Sequence, residues 1–273
     1  MSEQALVGGM DAGRGVVRIG DTVRRPAMAA PVRALLRHLE AVGFRGAPRH
    51  LGTDEQGRDV LSWVAGAVPV PPYPEWALTE SALESLGRLV RDYHEAVASF
   101  DPAGLTGWSA EWSDPAGGPV VCHNDLFPEN VVFRDGGVVA LIDFDMAAPG
   151  RALWDLAIAA EEWVPLHAPG IRLASSDSLD AVRRLGRLAG AYGLAPERAE
   201  EFLDVVAEEK AHSAANVRAR AAAGDPVWAV HVAGTDFDAR MDADDRWLAR
   251  MRPALVASIA QAGRDAQDHR NGS

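Results

Sequence analysis

Apolar positions along this chain follow two different periods. Across residues 5–25, ALVGGMDAGRGVVRIGDTVRR, short apolar runs alternate with glycine-bearing turns, which predicts strand, turn, strand, turn, strand. Residues 32–42 switch to helical spacing, with Val32, Leu35, Leu36, Leu39 and Val42 on one face. Two short strands are expected at 49–52 and 59–64, around a polar turn at 54–57. Residues 79–100 predict a helix: Leu83, Leu86, Val90, Tyr93 and Val97 recur at spacings of three and four, Thr79 supplies an N-cap, and Pro102 follows the end. Beyond residue 151 the pattern is mainly helical. It breaks at 168–170, 193–196 and 224–226, and a polar tail at 265–273 is expected to stay disordered.

One stretch departs from both periods. Residues 120–145, VVCHNDLFPENVVFRDGGVVALIDFD, place Asp125, Asn130 and Asp143 within 19 residues, at the ends of short apolar runs rather than along them. The pair Asp135-Gly136 between β-branched runs signals a hairpin over 131–142. A hairpin brings its outer ends together, so Asn130 and Asp143 are expected side by side. An amide oxygen beside a carboxylate suits Mg²⁺, which is typically held by one or two such groups plus substrate phosphates. Asp125 is a second carboxylate in reach, suited to accept a proton from an attacking hydroxyl. Such an arrangement serves phosphoryl transfer from a nucleotide, where positioning and charge neutralisation supply most of the catalysis.

Composition narrows the setting. With 48% hydrophobic and 24% charged residues in 273, the chain can bury a core, in one large domain or two modest ones. No apolar run is long enough to span a bilayer, and the first 15 residues lack a signal-peptide pattern, so a cytosolic protein without membrane contact is expected. The single cysteine, Cys122, ends an apolar run and reads as buried; it excludes an internal disulfide and any multi-thiolate metal site. A net charge of −12 argues against general nucleic-acid binding and favours neutral or cationic partners.

The series His123-x-Asp125-x-x-x-x-Asn130, then a hairpin and Ile142-Asp143-Phe144-Asp145, resembles the catalytic core of the aminoglycoside phosphotransferase and choline kinase families, relatives of the protein kinases. The resemblance implies an α+β, two-lobed protein-kinase-like fold. A small antiparallel β lobe with one helix, residues 1–64, would bind nucleotide; a larger, mainly helical lobe, 65–273, would carry the catalytic and substrate sites. It implies transfer of the γ-phosphoryl group of ATP or GTP to a hydroxyl of a small molecule. That acceptor is an aminoglycoside or other amino-containing antibiotic, or a metabolite such as an amino alcohol, sugar or nucleoside. Asp125 would act as base or orienter, Asn130 and Asp143 would hold Mg²⁺, and His123 would brace the loop.

The same resemblance assigns further residues. Gly13 and Gly15 would form the turn over the phosphates. Ser62, Trp63 and Val64 would lie at the hinge that holds the base. The strand lysine of kinases has no counterpart, since the first lysine is at position 210, and Arg24 is expected in its place. Alternation along a strand sends Arg24 and Arg25 to opposite faces, so one of them points into the cleft. The helix glutamate that would pair with this cation is missing from 32–42, where Glu40 stands near the end. His94 and Asp155 are expected to be structural. The acidic run containing Asp236, Asp238 and Asp242 would wall a cationic acceptor, or be a solvated helix face. The missing lysine also supports a competing reading, a nucleotide-binding pseudoenzyme or regulatory module.

Overall fold

The computed structural model describes residues 3–6, 15–171 and 177–271, and side chains to 265. The chain forms two compact units, Met1–Ala152 and Leu153–Ser273. The first contains a five-stranded antiparallel sheet in the order β1-β2-β3-β5-β4, made from β1 (Gln4–Ala5), β2 (Val17–Ile19), β3 (Thr22–Arg25), β4 (His50–Thr53) and β5 (Asp59–Ser62). The expected division at 64 follows the end of this sheet. The compact unit runs on to Ala152 because the next strands bond back to it: Leu141 N–H donates to Gly46 O at 2.8 Å, and Ala67 and Phe133 exchange both backbone bonds.

Helix α1 (Ala30–Ala41) buries Val32, Leu35, Leu36 and Leu39 of the face its spacing predicts, while Val42 falls at the C-cap and is exposed. It is fixed to the sheet through Asp59, which is fully buried. This carboxylate accepts from Met28 N at 2.6 Å, from Arg33 Nε of α1 at 2.9 Å, and pairs with His50 Nε2 of β4 at 2.8 Å. Burial alone would push the Asp59 pKa up, but the hydrogen bonds from His50, Met28 and Arg33 outweigh it and hold the pKa below the ordinary value. Helix α2 (Glu80–Val97) starts at Thr79, whose hydroxyl accepts from Ala82 N at 3.2 Å. Its stripe of Leu83, Leu86, Val90, Tyr93 and Val97 is fully buried.

Four short strands complete this unit: β6 (Val120–Cys122), β7 (Val131–Arg134), β8 (Gly137–Leu141) and β9 (Ala148–Gly150). β7 pairs with β8 and β6 with β9, both antiparallel. Strand β9 escapes the sequence reading because Ala-Pro-Gly has no β propensity. It forms because Gly150 lets β6 and its approach close up: a Cβ there would meet Cys122 Sγ and Asp114 Cβ at 3.0 Å.

The second unit is helical, with α3 (Ala152–Trp163), α4 (Ala181–Tyr192), α5 (Ala199–Ala222), α6 (Pro226–Gly234) and α7 (Phe237–Asn271). Asp180 and Asp225 cap α4 and α6, and Gly193 ends α4 at φ +85°. α7 runs on through most of the tail expected to be disordered, since its alanine, arginine and glutamine are good helix formers. α4 and α7 pack closely at Gly186, where a Cβ would come within 2.3 Å of Ser258 Oγ. Among the described residues no helix is long and apolar enough to cross a membrane.

Four parts of this unit meet at Lys210, the one lysine of the chain. From α5 its ammonium reaches Glu161 Oε2 of α3 at 3.2 Å, Asp244 Oδ2 of α7 at 3.0 Å, and Leu166 O and His167 Nδ1 of the loop after α3 at 3.2 and 3.1 Å. Asp244 also pairs with His167 Nδ1 at 2.6 Å and accepts from Ala168 N at 2.5 Å. Burial pushes Asp244 up, yet His167, Lys210 and the Ala168 amide outweigh it and hold the pKa at about 2. Burial also pushes Glu161 up, and there the Lys210 charge does not overcome it and the Glu209 charge adds to it, so the pKa stays well above the usual range.

Removing one partner of a buried ion group strands the rest, so Lys210→Ala is expected to lower stability by roughly 3–5 kcal/mol in denaturant unfolding. Asp244 is depressed, so its contribution is present above about pH 4 and is lost as pH falls toward its folded pKa of about 2. An Asp244→Asn variant is expected to lose that acid-side slope.

Candidate active site

The site is built on the β7–β8 hairpin. Its connection is the two-residue turn Asp135-Gly136, with φ of +51° and +79°, the doubly positive geometry that Asp-Gly favours. The turn pairs Arg134 with Gly137, a one-residue bulge then shifts the register between Phe133 and Val132 so that Val131 faces Leu141, and one step outward Ile142 N donates to Asn130 O at 2.9 Å. Asn130 and Asp143 are therefore at the open end of the hairpin, one on each side. Asp143 takes φ +62°, a conformation that costs a non-glycine residue and marks functional positions.

The loop between β6 and β7 brings in Asp125. His123, fully buried, shares a hydrogen bond of 3.1 Å between Nε2 and Ile142 O and packs edge-on against Phe144 at 4.6 Å. Asn124, also at positive φ, donates to Met146 O at 3.0 Å. These contacts tie the loop to the segment carrying Asp143. The Asn130 amide donates to the Asp125 carbonyl at 3.1 Å, which leaves its oxygen as the atom to offer a cation. Tyr73 donates to Glu129 Oε2 at 2.5 Å, and the Tyr93 hydroxyl bonds Val121 O at 2.8 Å. His94 is buried against Tyr93. Burial raises the Asp125 pKa to about 7, helped by the charge of Asp143; the hydrogen bond from Asn130 opposes.

The cation at these carboxylates is Arg25, whereas Arg24, the residue expected from sequence to meet the nucleotide phosphates, does not contact them. The two do point to opposite faces. Arg24 turns to the Thr22 hydroxyl at 2.6 Å and to Asp54 at 3.7 Å, where Asp54 already holds Arg58. Arg25 NH1 reaches Asp143 Oδ1 at 3.1 Å, and its NH2 bonds Asp145 Oδ2. Sequence gives the alternation but not its phase, which the pairing of β3 with β5 sets. α1 offers Arg25 no glutamate: Glu40 lies 3.7 Å from Arg49, and α1 is held through Asp59 instead.

The remaining expected residues are more scattered. Gly15 takes φ +72°, and Gly13 lies outside the described residues. At the expected hinge, Ser62 N bonds Arg49 O and Trp63 N bonds Asp21 O, while Arg18 stacks on the Trp63 ring at 4.3 Å. Among the described residues Val64 is the member of the three whose backbone carries no such bond. Asp155 is fully buried in the first turn of α3. Asp236, Asp238 and Asp242 are exposed, and Asp238 pairs with Arg218 at 2.8 Å; the acid of that run which turns inward is Asp244.

An amide oxygen, a half-exposed carboxylate and a neighbouring acid fit a hard divalent ion. Among the described residues no group of three or more His, Cys, Asp or Glu is arranged to hold one, so such an ion would draw further oxygens from phosphate and water.

Sheet, helical region and hairpin site together define a protein-kinase-like fold. A solved choline/ethanolamine kinase family protein from Mesorhizobium loti superposes with a TM-score of 0.59 at 18% identity, over 96% of this chain and 93% of that one. The model of the phosphotransferase enzyme family matches residues 105–202. The trifolitoxin immunity protein of Rhizobium leguminosarum bv. trifolii is 33% identical over 262 residues, 90% of this chain and 95% of that protein. The chain belongs to the phosphotransferase enzyme family. A homoserine kinase of Rhodopseudomonas palustris strain TIE-1 is 31% identical over 134 residues, which cover 49% of this chain and 38% of that kinase.

With Asp125 titrating at about 7, activity that needs its carboxylate falls as pH drops through that value. The expected profile of kcat/KM has a slope of one below about pH 7. A cation beside Asp143 removes part of the repulsion that raises Asp125, so the limb in kcat is expected at lower pH than the limb in kcat/KM.

Proposed function

We propose that the protein is a small-molecule kinase that moves the γ-phosphoryl group of ATP or GTP onto a hydroxyl of its acceptor. The observation that carries this reading is the convergence of Asp125, Asn130 and Asp143 at the loop and hairpin end, with Arg25 facing the carboxylates. Asp125 accepts or orients the acceptor hydroxyl proton; a base with a pKa of about 7 is matched to that task. Asn130 and Asp143 would hold Mg²⁺, whose chemistry when bound is to neutralise charge on the transferred phosphoryl group. Arg25 supplies the cation that a strand lysine supplies elsewhere, and its planar fork suits phosphate oxygens. Val64 would read the base, a role supported by the backbone bonds that hold Ser62 and Trp63 but not Val64. Sequence similarity to an immunity protein over nearly its full length supports an antimicrobial compound as acceptor. Similarity to homoserine kinases supports an amino-bearing alcohol, and the net charge of −12 agrees with a cationic group on either.

The test is nucleoside diphosphate release across a panel of hydroxylated antibiotics, toxins and amino alcohols. Asp125→Ala is expected to lower kcat by roughly 10²–10⁴-fold while calorimetry still detects nucleotide binding. A fully active Asp125→Ala variant would remove Asp125 from the mechanism, and a wild-type protein that binds no nucleotide would sink the kinase reading.

A further inference from the structure

We propose that Arg25 is a displaceable occupant of the carboxylate end of this site. Its guanidinium covers Asp143 and Asp145, so that a divalent ion binds only together with nucleotide phosphates that draw the guanidinium away. The proposal rests on the functional reading above and adds an order of binding to it.

Three observations support it. The first is the pairing itself. Arg25 NH1 lies 3.1 Å from Asp143 Oδ1 and NH2 bonds Asp145 Oδ2. A positive charge already at Asp143 lowers what that carboxylate offers an incoming cation. The second is that the clamp is incomplete. Arg25 Nε is buried and has no acceptor, while Asp143 and Asp145 remain 49% and 40% exposed. A buried donor without a partner disfavours the pose, and a phosphate oxygen would give that donor an acceptor once the side chain swings out. The third concerns the other acids among the described residues. The acids on the neighbouring elements are engaged elsewhere: Asp54 with Arg58 and Arg24, Asp59 with Arg33 and His50, and Glu40 near Arg49. What positions Arg25 is therefore the pair of carboxylates at the candidate metal site. Leaving that pair breaks no contact between α1 and the sheet.

The direct test measures Mn²⁺ binding by electron paramagnetic resonance with no nucleotide present. Arg25→Gln is expected to bind Mn²⁺ at least about tenfold more tightly than the wild-type protein, a gain that loss of a merely structural side chain does not produce. Equal affinity of the two proteins overturns the proposal. A second measurement needs no variant. In the wild-type protein the ¹⁵Nε–Hε resonance of Arg25 is expected to shift on adding metal-free nucleotide and to stay in place on adding Mg²⁺ alone; the reverse pattern overturns it. The Mn²⁺ comparison contains no nucleotide, so it is decided independently of the kinase reading, which calorimetry with nucleotide tests by itself.

Discussion

The register of one hairpin governs the site. Because a one-residue bulge shifts the pairing that the two-residue turn begins, Val131 faces Leu141, and the backbone bond from Ile142 to Asn130 sets the amide and the Asp143 carboxylate on either side of the same opening. A slip of one residue would turn every side chain of β7 or β8 to the other face and separate the pair. Leu141 and Phe133 then bond to Gly46 and Ala67, and the Arg134 side chain to Ala65 O, so backbone and side-chain bonds together hold the hairpin against the segments flanking β4 and β5. The loop between β6 and β7 depends on it in turn, through His123 on Ile142 and Asn124 on Met146.

Charge balance follows from that geometry. Asp125, Asp143 and Asp145 converge in a partly buried space, and such a group cannot stay fully ionised without compensation. Two adjustments are visible: Asp125 has a pKa raised to about 7, and Arg25 lies across the other two acids. In kinases with a strand lysine, a helix glutamate positions the cation. Here α1 carries no such acid and is secured by Arg33 on Asp59, which leaves the cation to be held by the carboxylates it serves. Assembly of the β sheet with its helix is thus separated from the state of the site.

In the helical unit the comparable constraint is the cage around Lys210. A chain whose other strongly basic side chains are all arginine keeps its single lysine where three oxygen acceptors, on Glu161, Asp244 and Leu166, surround a compact ammonium, a shape that a planar guanidinium does not match. That cage ties α3, α5 and α7 to the loop after α3, and it takes up Asp244, the member of the acidic run that does not face solvent.

Local chemistry determined much of this protein. Asp135-Gly136 specifies the turn, apolar spacing specifies α1 and α2 with their buried faces, Thr79 specifies a cap, and the intervals between Asp125, Asn130 and Asp143 specify a site, because each depends on residues close in the chain. Tertiary structure decided what depends on partners far away. It chose Arg25 over Arg24, since alternation defines two faces and only pairing with β5 says which one meets Asp143. It made a strand of Ala148–Gly150, whose residues have no β preference of their own, by closing it against β6. It turned Asp244 inward to Lys210 and left Asp236, Asp238 and Asp242 exposed, because the helical pattern alone does not say which turn of α7 meets α5.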